Sequence, residues 1–87
     1  MRPDVTPAQR RVLVALCRPL LSDPPGPLPA SNKDIAAELF LSEESVRSHL
    51  KALFERAHVA DLAQGAKRFR LAEIALATGI VARHDIH

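Results

Sequence analysis

Two helix-start signals stand only eleven residues apart in this chain, at Ser31 and Ser42. Ser31 opens Ser-Asn-Lys-Asp, a box in which a serine hydroxyl accepts from the amide three residues on. Ser42 is followed by Glu43 and Glu44, acids that suit the positive end of a helix dipole. That spacing admits one helix of about eight residues, a turn of about three, and then a new helix. After Ser42 the apolar residues Val46, Leu50, Leu53 and Phe54 fall at i, i+4, i+7 and i+8, a single amphipathic face over about 43–56. These are helix-turn-helix proportions. So short a turn disfavours an antiparallel pair around a bundle core, and a steep crossing leaves one face of the longer helix pointing outward.

The flanks also predict helices. Thr6, Pro7 and Gln9 form a capping box with proline at the first helical position. Leu13, Leu16, Cys17 and Leu20 recur at helical spacing, and Pro19 should end this first helix near Arg18. A further helix is expected from about Ala66 to Gly79, a good residue just past a helix end. Between the first two helices lies Ser22–Ala30, with four of the seven prolines. It looks like a linker, but 87 residues are too few for two cores. The expected fold class is therefore all-α, a four-helix helix-turn-helix domain over residues 5–81. Residues 22–30 form a proline-rich loop within it, and 82–87 a frayed tail.

Charge and composition narrow the function. The net charge of +2 permits an anionic partner without requiring one. Cys17 is the only cysteine; it reads as a small buried hydrophobe and fits a reducing, cytoplasmic setting. No membrane segment is expected, and no secretory leader. His49, His58, His84 and His87 lack the spacing of a zinc site, so no metal and no cofactor is expected. There is no phosphate-cradling glycine loop, and no nucleophile beside a base, so the chain does not read as an enzyme. Three phenylalanines with no Trp or Tyr argue against a base-stacking RNA or single-strand module.

The outward face of the third helix carries Ser45, Arg47, Ser48, Lys51 and Glu55, with Glu44 and His49 at its edges. Arg47 and Lys51 stand one turn apart on one face, with Ser48 between them. Such a pair is often only a solvated face. It is also the chemistry that takes guanine O6 and N7 in a major groove.

The run Asn32-Lys33-Asp34-Ile35-Ala36, Leu41-Ser42, Ser45-Val46-Arg47-Ser48-His49-Leu50 and Val59 resembles the DNA-binding domain of the LuxR/GerE (NarL-type) family of bacterial transcription regulators. "VTPAQRRVL" and "LAEIALATGIV" are similar to the family's first and fourth helices. The resemblance implies sequence-specific binding of double-stranded DNA with the third helix in the major groove. By that resemblance Arg47, Ser48, Lys51 and Ser45 read bases, and Asn32, Lys33, Ser42 and His49 meet phosphates. Lys67, Arg68 and Arg70 form a cationic cluster that most members lack and are candidate phosphate contacts. The fourth helix implies a homodimer through Leu71, Ile74, Ala75, Leu76 and Thr78, with other regulatory domains or proteins as further partners. Two rivals keep the same helices: a sigma region-four-like promoter reader, and a protein-interaction module that has lost DNA.

Overall fold

The computed structural model describes residues 5–82. It contains helices α1 (Pro7–Leu21), α2 (Asn32–Leu39), α3 (Glu43–Arg56) and α4 (Gln64–Ala77), with no strand among the described residues. The expected all-α class is thus observed. Residues 83–87, which hold His84, His87 and most of the expected frayed tail, lie outside the described part.

Helix α1 is the centre of the body. Val12, Leu13, Val14, Ala15, Leu16 and Cys17 are all buried, not just the expected stripe. α1 packs against α2, α3 and α4, and a helix covered from several sides must be apolar almost all round. Ile35 and Ala36 of α2, the Val46-Leu50-Leu53-Phe54 face of α3, and Leu71, Ala72 and Ala75 of α4 complete one buried cluster. No charged or polar residue is buried in it. The Sγ of Cys17 donates to the Ala72 carbonyl at 3.8 Å, tying α1 to α4.

The caps explain the boundaries. Thr6 and Gln9 make the reciprocal capping box, and the Ser31 and Ser42 hydroxyls accept from the amides of Asp34 and Ser45 at 3.1 and 3.0 Å. Three residues, 40–42, separate α2 from α3. Phe40 takes the left-handed conformation (φ 58°), and the Leu41 amide reaches back to the Ala36 carbonyl at 3.0 Å. The end of α3 repeats the device. His58 is left-handed (φ 60°), its amide bonds Glu55, and the Val59 amide bonds Phe54 at 3.0 Å, a Schellman closure with Val59 buried beneath it.

Two boundaries differ from expectation. α1 does not end near Arg18 but runs through Pro19 to Leu21. Pro19 sits in the last turn and removes a single donor. Leu20 and Leu21 pack on the core, and the proline-rich segment returns its own amides to the helix. Gly26 donates to the Pro19 carbonyl at 2.7 Å and Ala30 to the Leu16 carbonyl at 3.0 Å. The Ser22 hydroxyl also bonds the Pro19 carbonyl, at 2.8 Å. α4 starts at Gln64, two residues before the expected Ala66, so that Gly65 falls in its first turn, where an added side chain would meet open space. Gly79 lies past the end of α4 with φ 80°, as a residue in that place should.

Two outcomes follow. Replacing His58 by glycine removes a left-handed side-chain strain and should stabilise the fold by about 0.5–1 kcal/mol, net of glycine's chain entropy. Thermal unfolding then shows a midpoint higher by a few degrees, while His58→Val lowers it. Burial pushes the Cys17 thiol from its ordinary 9.0 up to about 12. The folded state holds the proton that the unfolded thiol releases, so this contribution is full below pH 9 and declines as pH rises toward 12. Native protein at pH 8 should resist iodoacetamide until denaturant is added; rapid alkylation of the folded chain would contradict this burial.

Candidate nucleic-acid interface

The inward face of α3 is fixed by burial: Val46, Leu50, Leu53 and Phe54 are at most 5 % exposed. That leaves Arg47, Ser48 and Lys51 exposed, with Ser45 and His49 half-buried at the margins. The helical register that buries one set dictates the exposure of the other.

A cleft of about 380 Å³ opens beside this face, between α3 and the start of α4. Leu50 and Phe54 form its floor, and Arg47, Lys51, Lys67 and Arg68 bring four cations to it against the single acid Glu55. Asn32 lines the same cleft. The Nζ of Lys67 lies 5.0 Å from the centre of the Phe54 ring, a cation–π contact that holds the ammonium over the floor. Two groups of candidates from distant parts of the chain thus converge: Arg47 and Lys51 from α3, Lys67 and Arg68 from α4.

Arg68 behaves differently from its neighbours. It is half-buried, and its guanidinium donates to the Ala30 carbonyl and, at 2.5 Å, to Oδ1 of Asn32. Desolvation by burial lowers its pKa from the ordinary arginine value, yet an arginine stays protonated. Arg70 is exposed and forms a 3.6 Å ion pair with Glu73 one turn along, a weak surface pair. It does not line the cleft. Lys33 is exposed on the first turn of α2. Ser42 spends its oxygen on the Ser45 amide. Among the described residues no group of His, Cys, Asp and Glu could hold a metal ion, and no helix is long and apolar enough to cross a membrane.

The expected dimer residues divide. Leu71 and Ala75 are 3 % and 1 % exposed and belong to the core of the single chain, so neither is open to a partner. Their burial follows from α4 presenting one wide face to α1 and α3, which also takes in Ala72. Ile74 and Leu76 are half-buried, and Thr78 is exposed with its hydroxyl on the Ile74 carbonyl at 2.8 Å.

Sequence reasoning missed the cleft and the inward turn of Arg68. Arg68 reaches partners 36 and 38 residues away, so no local periodicity signals it. Gln64 and Ala60 of the cleft likewise carried no signal of their own.

No curated protein and no solved structure matches the chain. Residues 30–69 match the family model described as bacterial regulatory proteins, luxR family. The match takes in α2, the turn, α3 and the start of α4; α1, the proline-rich segment and the end of α4 lie outside it. Helix-turn-helix domains of that family are typically DNA-binding parts of transcription regulators rather than enzymes. Over residues 30–69 the chain is similar to the GerE-type helix-turn-helix of the luxR family of bacterial regulatory proteins.

Proposed function

We propose that this chain binds duplex DNA sequence-specifically in transcriptional regulation, with α3 in the major groove. The observation that carries the proposal is the exposed pair Arg47 and Lys51, one turn apart opposite the buried stripe of α3, beside the cationic start of α4. Arg47 suits the bidentate grip on guanine, and Ser48, Lys51 and Ser45 complete the base-reading set. Lys33, Asn32, Ser42 and His49 serve phosphates and set the register, as phosphate contacts do. Lys67 extends that set from α4, with Arg70 more peripheral. A second copy meets α4 at Ile74 and Thr78 on one edge of its buried stripe, with Leu76 on the opposite edge.

One observation favours an added protein contact. Phe40 stands 94 % exposed in the turn, an aromatic side chain with no packing role in the chain itself. A module that meets only protein shifts no duplex even at about 50 mM salt, where backbone attraction is strong.

Selection from random duplexes supplies a cognate site on which two substitutions separate the roles. Arg47→Ala should cost about 1–3 kcal/mol on that site and relax preference at one position. Equal weakening on cognate and random duplex removes Arg47 from base reading. Lys33→Ala should weaken both alike and reduce the slope of log affinity against log salt by about one. A slope equal to that of the parent chain takes Lys33 out of the interface.

A further inference from the structure

Arg68 joins two elements that otherwise barely touch. α2 and α4 do not pack along their lengths, yet the Arg68 fork on α4 spans the Ala30 carbonyl and the Asn32 amide oxygen at the start of α2. Arginine has donors only, so the atom of Asn32 facing it must be the oxygen. The other branch of that amide, Nδ2 with its two donors, is then turned away from Arg68, and among the described residues no protein acceptor takes it. Asn32 borders the cleft that also holds Arg47 and Lys51. The Ala30 carbonyl is held at the same time, which fixes the chain where it enters α2.

We infer that Arg68 is a positioning residue of the DNA interface: it orients Asn32 so that Nδ2 donates to a backbone phosphate, and does not itself touch the DNA. The inference rests on the proposal that the chain binds duplex DNA. It reassigns Arg68 from phosphate contact to the support of one, and it gives α4 a hold on the start of α2. A planar five-donor fork is needed because two acceptors of different kinds must be gripped at once; an ammonium offers no such fixed geometry.

The test uses the whole chain and a random-sequence duplex of about 20 base pairs at about 50 mM salt, since phosphate contacts do not depend on sequence. Asn32→Ala and Arg68→Gln should each weaken binding about tenfold, the size of a hydrogen bond to a charged group. The double variant should be no weaker than either single one, and Arg68→Gln should leave the salt slope nearly unchanged. Arg68→Lys, which keeps the charge, should not rescue. A double variant about a hundredfold weaker, a slope lower by about 0.9, or full rescue by lysine makes Arg68 an independent or direct contact and overturns the inference. Where circular dichroism shows that Arg68→Gln fails to fold, Asn32→Asp decides. It keeps an acceptor for Arg68 but has no donor for phosphate, so it should fold and bind at least tenfold more weakly. Affinity equal to the parent chain overturns the inference. If the parent chain binds no duplex under these conditions, it is the DNA-binding proposal that fails, a result distinct from additive losses in a chain that does bind.

Discussion

The burial of α1 on all sides is the constraint from which the other positions follow. Six consecutive residues, Val12 to Cys17, leave solvent together, and only helices packed on different sides can achieve that. α2 contributes Ile35 and Ala36, α3 its Val46-Leu50-Leu53-Phe54 face, and α4 Leu71, Ala72 and Ala75. Once α3 has committed that face, its rotation about its own axis is set. Arg47 and Lys51 have no freedom left but to face outward. The exposed cations are thus a consequence of core packing, and truncating a core leucine such as Leu50 disturbs the cations as well as the stability.

The ends of α2 and α3 show a second economy of means. Both close through a left-handed residue that is not glycine, Phe40 and His58. In each case the next residue returns an amide to a helix carbonyl, and after α3 that residue, Val59, is itself buried. After α3 the burial of Val59 offsets the strain, which is of the order of 1 kcal/mol per position. At Phe40 the side chain gains nothing in return, since it is almost wholly exposed.

Much of this was legible in the residues. The serines at 31 and 42 set the starts of α2 and α3 to the residue, because an N-cap is a local interaction read from three neighbouring positions. The apolar face of α3 and the residues opposite it were legible for the same reason. What escaped depends on distance along the chain. Pro19 reads locally as a stop, and only the amides of Gly26 and Ala30, returned from seven and fourteen residues on, let the helix continue. Leu71 and Ala75 read as facing a partner, and only the helices packed on α4 decide that they go inside together with Ala72. The cluster Lys67, Arg68 and Arg70 reads as three equal cations. Folding separates them into one over an aromatic ring, one turned onto α2, and one paired along its own helix.

The proline-rich segment illustrates how a long connection coexists with a fixed interface. Lengthening a loop adds little closure entropy, on the order of 0.6 kcal/mol per doubling, so the extra residues are tolerable if the ends are held. Here they are held tightly. Ser22 and Gly26 bond the Pro19 carbonyl at one end. At the other, the Ala30 amide donates to Leu16 while its carbonyl accepts from Arg68, so both polar groups of one residue are tied to different helices. Ser31 then caps α2 and Asn32 begins it. Variation within 22–29 is therefore insulated from α2, because Ala30 refers the entry of that helix to α1 and α4 rather than to the loop. The same logic explains why the cation at 68 has to come from α4: among the described residues it is the one that reaches Ala30 and Asn32 together from outside both the loop and α2.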